Sequence, residues 1–145
     1  MLWKVANLKI KDFILALLSA ILLSLPFLNS NLSLFTWVGF IPLFSALKDK
    51  NKVQAFIFAY FTGMIFWAIT IYWLINVTLF GQILLVLYLA VYFGIFGLLY
   101  SCIFYPARYV LIIPSLWVIL EYGRSQLLTG FPWALLGYSQ YQNLP

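Results

Sequence analysis

Long apolar runs, interrupted only by short polar or Gly/Pro-bearing breaks, organise this chain. Five stand out, at residues 13–28, 32–47, 53–80, 81–105 and 109–128. None alternates apolar and polar positions with a period of two, so lipid-facing strands of a β-barrel are excluded. A membrane-crossing helix needs about 20 predominantly apolar residues. The pattern therefore predicts an all-α integral membrane bundle of about five transmembrane helices. Two runs depart from the ideal length. Residues 32–47 are short and contain Gly39 and Pro42, as a re-entrant segment would. Residues 53–80 are long, which implies a tilted helix or an outer end that continues past the hydrocarbon.

Charge placement decides between five crossings and four. With the N-terminus in the cytoplasm and every run spanning, Lys4, Lys9, Lys11, Lys48, Lys50, Lys52 and Arg108 all fall inside, which is seven of the eight basic residues. Only Arg124 lies towards the outside. A re-entrant 32–47 would carry the Lys48–Lys52 cluster across the membrane and break the positive-inside pattern. The same lysines precede the first run as they would in a signal peptide. However, Asn29, Ser30 and Asn31 offer no small-x-small cleavage site, so the first run is read as a retained helix.

Composition agrees with a lipid environment. The chain is 66% hydrophobic and 8% charged, with a mean hydropathy of +1.04, against about 25% charged in a soluble domain. A chain of 145 residues has too little volume to hide that much apolar surface from water. The net charge of +5 does not indicate nucleic acid, because the basic residues form short caps between apolar runs and not one face. No His is present and Cys102 is the only cysteine, so neither a metal site nor an internal disulfide is expected, and no cofactor is implied.

Ionisable groups inside a bilayer need partners. Glu121 and Arg124, three residues apart in the last run, share a helix face and can pair. Two readings stay open for them. One is a local ion pair at a helix end; the other is a pair that orients an external loop or meets a phospholipid headgroup. The loop region, 129–145, carries Gly130, Phe131, Pro132 and Trp133, then Gly137, Tyr138, Ser139 and Gln140. Gly and Pro end the helix, and Trp and Tyr suit the interface. Gly97 and Ser101 form a small-xxx-small pair that lets helices approach closely. Pro114, early in the last helix, is tolerated there. Asn76 reads as an interfacial polar group and Asp49 as solvated. Cys102 has no cationic neighbour in sequence and reads as a small buried hydrophobe, not a nucleophile.

The string Trp117-x-x-x-Glu121-x-x-Arg124, with Thr129-Gly130-Phe131-Pro132-Trp133 and Gly137-Tyr138-Ser139-Gln140, resembles the apolipoprotein N-acyltransferase family. Gly39-Phe40-Ile41-Pro42-Leu43, Gly63 and Trp73 extend the resemblance over nearly the whole chain. It implies a multi-pass protein of the bacterial inner (cytoplasmic) membrane. The parent enzymes move an acyl chain from a phospholipid to the free α-amino group of a diacylglyceryl-cysteine lipoprotein. They do so through a cysteine thioester in the Glu-Lys-Cys site of an external nitrilase-like domain. The resemblance covers only the N-terminal membrane portion. It stops at Pro145, and none of the three catalytic residues has a counterpart, so the chain alone is expected to be inactive. The implied partners are membrane phospholipid, the diacylated lipoprotein, and a nitrilase-like domain or a separate chain carrying it. In that setting Glu121, Arg124, Phe131, Pro132, Trp133 and Tyr138 are candidates for shaping the lipid path or positioning the loop.

Other readings are a non-enzymatic small membrane protein (a transporter subunit or lipid-binding scaffold) and the membrane part of a polyprenol-phosphate sugar transferase. Adjoining nitrilase-like or glycosyltransferase sequence would separate them. The topology has a direct test: reporters fused after Lys52 and after Tyr138 are expected on opposite sides of the membrane. Finding both in one compartment would end the five-crossing reading.

Overall fold

A computed structural model describes residues 9–103, 109–127 and 130–143. Lys4, Arg108 and Thr129 lie outside the described residues. The chain is an all-α membrane bundle, with no strand among the described residues. Its helices are α1 (Ile10–Leu28), α2 (Phe35–Val38), α3 (Phe40–Leu47), α4 (Lys52–Thr70), α5 (Leu79–Tyr100) and α6 (Tyr109–Gln126). Tight 3-10 turns occupy Ser30–Leu32, Tyr72–Asn76 and Leu136–Asn143. By length and hydropathy α1, α4 and α5 can each cross a membrane, and Phe35–Leu47 forms a shorter apolar segment.

Local chemistry explains the boundaries. Asn51 and Gln54 close a reciprocal capping box at the start of α4, with Gln54 N donating to Asn51 Oδ1 at 2.9 Å and Asn51 N to Gln54 Oε1 at 3.2 Å. The run 32–47 is not one helix. Pro42 has no N–H to give the carbonyl of Val38, so the helix breaks between Val38 and Phe40. The run 53–80 likewise divides. α4 ends at Thr70, a 3-10 turn follows, and Thr78 starts α5 by accepting the Gly81 N–H at 3.3 Å. Asn76, in that turn, and Asp49, in the α3–α4 connection, are exposed. Cys102 falls in the turn just past α5, half-buried.

Contacts fix the helix directions. Phe13 meets Phe58 and Phe27 meets Phe66, so α1 and α4 run parallel. Ser19 Oγ donates to the Gly39 carbonyl at 2.6 Å, and Leu43 and Leu47 pack beside Ala16, so α3 runs back along α1. Phe93 sits against Gly63 while Gly97 sits against Ala55, so α5 opposes α4. α6 opposes α5 in turn, and its Trp117 packs on Phe93 and Phe96. The α4–α5 interface is the closest. A Cβ at Gly97 would lie 2.5 Å from both the Ala55 carbonyl oxygen and the Ala59 Cβ. The small-residue contact is thus Gly97 against Ala55 and Ala59. Ser101 turns its hydroxyl back to Leu98 O at 2.7 Å.

At the lysine-rich end, Asp12 of α1 pairs with Lys50, whose ammonium also lies 5.6 Å from the Phe58 ring centroid. Asp49 permits this by taking a left-handed turn (φ 60°), which folds Lys50 back onto the bundle. Gly97→Val is expected to destabilise the α4–α5 interface by about 1–3 kcal/mol. Gly123→Ala, where an added Cβ meets nothing within 4 Å, should be neutral or stabilising by up to about 1 kcal/mol. Thermal unfolding in detergent, followed by circular dichroism, separates the two. Equal effects would contradict the close approach at Gly97.

Candidate functional site

The last turn of α6 and the segment 130–143 build one polar structure at the end of the bundle opposite Asp12 and Lys50. Gly130 allows the reversal. It adopts φ +75°, and a Cβ there would lie 2.3 Å from the Ser125 carbonyl oxygen. Gly130 N donates to Leu127 O at 3.0 Å, and Phe131 N reaches back to Arg124 O at 3.1 Å. The chain after α6 therefore folds over the side chain of Arg124.

Arg124 is 3% exposed. Its Nη1 donates to two carbonyls of the reversed segment, Phe131 O at 2.6 Å and Trp133 O at 2.9 Å. The guanidinium carbon lies 4.8 Å from the ring centroid of Trp67 on α4, close enough for a cation–π contact. Glu121 does not pair with it directly, since the ion pair within 4.0 Å among the described residues is Asp12–Lys50. Glu121 Oε1 instead accepts the Leu136 N–H at 2.7 Å. The carboxylate and the guanidinium thus each hold a different part of the segment through its backbone.

A second seam ties this segment to α2 and the turn before it. Ser139 Oγ donates to Leu136 O at 2.7 Å, so in its 2.8 Å contact with Thr36 Oγ1 the threonine is the donor. Gln140 Nε2 donates to Ser33 O at 2.8 Å, and Gln140 Oε1 accepts from Trp37 Nε1 at 3.3 Å. Between α2–α3, α5 and α6 lies an open, mainly apolar cleft of about 660 Å³. Phe40, Phe44, Phe96, Pro114 and Trp117 line its body, and Thr36, Glu121 and Gln140 lie at its polar end. Trp117 is the hub of that wall, with ring centroids 4.8 Å from Phe40, 4.8 Å from Phe93 and 5.1 Å from Phe96.

Residues 19–145 match the family model described as the apolipoprotein N-acyltransferase N-terminal domain. The apolipoprotein N-acyltransferase of Geobacter metallireducens is 40% identical over 93% of this chain, which corresponds to 28% of that relative. The chain belongs to the apolipoprotein N-acyltransferase family. Apolipoprotein N-acyltransferases of Vibrio cholerae (33% identical over 65% of this chain) and Pasteurella multocida (28% over 91%) are also similar. The chain spans between about a fifth and about three-tenths of the length of these relatives, at 21%, 27% and 28%.

Within this family member, Arg124, Glu121 and Phe131 converge, with Phe131 packed edge-on against Trp67 at 5.9 Å. Pro132 is exposed, and Trp133 projects outward against Trp73 at 6.0 Å while lending its carbonyl to Arg124. The Tyr138 side chain is exposed too, and its N–H donates to Leu135 O at 2.9 Å. Sequence reasoning missed Trp67, Thr36 and Trp37. A signal for Trp67 existed: it lies in the middle of the apolar run 53–80, not at its ends, where belt tryptophans gather. Among the described residues, no three His, Cys, Asp or Glu side chains come together to hold a metal.

Arg124→Lys keeps the charge but cannot span both carbonyls or stack flat on Trp67. A loss on the order of 2–3 kcal/mol is expected, along with faster proteolysis within 130–143. Proteolysis indistinguishable from the parent chain would show that Arg124 does not hold the segment.

Proposed function

We propose that this chain is the membrane platform of an apolipoprotein N-acyltransferase, crossing the bacterial inner membrane five times with its N-terminus in the cytoplasm. In this reading the segment 130–143 faces outward, beneath a nitrilase-like catalytic domain. The cleft receives one acyl chain of the phospholipid donor. The diacylated lipoprotein is the acceptor, taking the acyl group on its free α-amino nitrogen.

The observation that carries the reading is the cleft, whose volume of about 660 Å³ lies within the range of about 300–1,000 Å³ usual for small-ligand sites. An acyl chain leaving the bilayer gains almost no hydrophobic free energy, because lipid is as apolar as the cleft wall. Selection must come from shape and from what the chain is attached to. The aromatic wall around Trp117 supplies the shape. Thr36, Glu121 and Gln140 cluster polar groups at one end, where a chain bound here would keep its ester. The helices contribute binding and orientation. Acyl transfer itself requires a nucleophile at that same end, and Cys102 follows the opposite end of α5.

Seven of the eight basic residues lie on the cytoplasmic side in this orientation, which supports it through the positive-inside rule. The cleft assignment is tested with phosphatidylethanolamine carrying a diazirine in one acyl chain, photolysed with the reconstituted chain. Crosslinks are expected at Phe40, Phe96 or Val118, and Val118→Trp, which narrows the cleft, should lower them several-fold relative to Ile14 on the outer face of α1. Crosslinks no denser in the cleft than at Ile14 would remove the acyl-site reading.

A further inference from the structure

Lysines gather at the end of the bundle opposite Arg124, and one contact draws them together. The Asp12–Lys50 ion pair joins the first turn of α1 to the α3–α4 connection. Lys9 and Lys11 stand within three residues of Asp12, and Lys48 and Lys52 within two of Lys50. All four are exposed, and none forms an ion pair among the described residues. Lys50 already answers Asp12, so Asp49 is the one exposed acid near them. The surface beside these lysines is apolar and equally open. Phe13 of α1 and Phe61 of α4 meet at 5.5 Å. One turn earlier on each helix, Ile10 is 80% exposed and Ile57 is 40% exposed. Val53, next to Lys52 and on the same ridge as Ile57, is exposed as well. Free ammonium groups and a bare apolar ridge thus adjoin where α1 and α4 run side by side.

We propose that this end of the α1–α4 pair binds an anionic phospholipid, its phosphate among Lys9, Lys11, Lys48 and Lys52 and an acyl chain along Ile10 and Ile57. Lysines clustered beside a spanning helix attract anionic headgroups. Four lysines against one carboxylate leave a positive surface at neutral pH. A choline headgroup answers it poorly, because its own cation cancels its phosphate. The apolar ridge decides between a lipid and a soluble anion. A nucleotide would leave Ile10, Val53 and Ile57 bare, whereas one phospholipid covers ridge and lysines together. Lysine stems lie along apolar surface while their heads stay at the polar boundary, so the four heads can close on a phosphate at the level where the acyl chain begins. The polar end of the cleft, at Thr36, Glu121 and Gln140, belongs to the opposite end of the bundle. A lipid held by the lysines is therefore a companion of the chain and not the acyl donor.

The test uses the 145-residue chain in phosphatidylcholine vesicles carrying a trace of lipid spin-labelled near the end of one acyl chain. Electron spin resonance separates lipid immobilised on the protein from free lipid. Phosphatidylglycerol is expected to associate several-fold more strongly than phosphatidylcholine with the same chains, and parity overturns the proposal. Combining Lys9→Gln, Lys11→Gln, Lys48→Gln and Lys52→Gln should bring the ratio close to one. An undiminished ratio in that variant, with helicity intact by circular dichroism, places the lipid elsewhere and also overturns it. If the fourfold variant does not fold, the Lys9→Gln/Lys11→Gln and Lys48→Gln/Lys52→Gln pairs are each expected to lower the ratio, and no change in either overturns the proposal. Water-soluble glycerol phosphate, at the concentration of the labelled lipid, should leave the ratio unchanged. Displacement by it would show a site for soluble anions instead.

Discussion

A guanidinium inside an apolar helical bundle stays there only if its charge is answered nearby, and Arg124 is answered chiefly by backbone. Two carbonyls from the following segment accept from one terminal nitrogen, and the guanidinium carbon lies over the face of Trp67. This choice has structural consequences that a carboxylate partner would not have had. A salt bridge to Glu121 would have closed within one helix turn and left residues 130–143 free to wander. Because the acceptors belong to Phe131 and Trp133, the cost of burying the charge is offset only when the chain reverses at Gly130 and folds over α6. Burial of one cation and the path of the following segment are therefore a single event.

Once the reversal is made, the rest of that end follows. Leu136 N is delivered to Glu121, Ser139 is delivered to Thr36 of α2 and Gln140 to Ser33 just before it, and the gap between α3 and α6 is held at its polar end by the same residues. The cleft owes its width to this arrangement. α6 touches α3 through Trp117 on Phe40 and is otherwise braced from its end by the polar seam. Large aromatic rings along the wall, edge to face around Trp117 and stacked from Phe40 through Phe44 to Tyr100, keep the space open, because flat rings on rigid helices cannot collapse into it as flexible aliphatic side chains would.

Much of this was legible in the residues, in proportion to how local the physics was. Runs of apolar residues announced the helical membrane bundle, and the string from Trp117 to Gln140 announced the family. Segment boundaries were harder. Pro42 was noticed, but hydropathy alone does not say whether such a proline bends a helix or breaks it. Tyr72–Asn76 carries one amide, Asn76, among otherwise bulky apolar and aromatic residues, a weak signal for its 3-10 turn, and the N-capping Thr78 with Gly81 was the further clue. The site was half legible. Spacing correctly put Glu121 and Arg124 on one face, but three-residue spacing permits a pair without requiring one. The stronger acceptors were backbone carbonyls, which every residue has and no sequence pattern marks. Trp67 and Thr36 join the site from about 57 and 103 positions away, relative to Arg124 and Ser139. Contacts that distant are settled by how the helices pack.

The two ends of the bundle are fastened by different chemistry, and the contrast follows from how charge is distributed along the chain. At the end that carries Lys9, Lys11, Lys48 and Lys52, an inward-turned Lys50 pairs with Asp12, and one more cation there adds to a charge asymmetry between the two ends. At the other end each added lysine would erode that asymmetry. The fastening there relies on Thr36, Ser139 and Gln140, neutral groups that satisfy one another and the backbone. Among the described residues the cation at that end, Arg124, is buried with two carbonyls as acceptors and lies over an indole. Its cost inside the bundle is the reason its neighbours are so tightly specified.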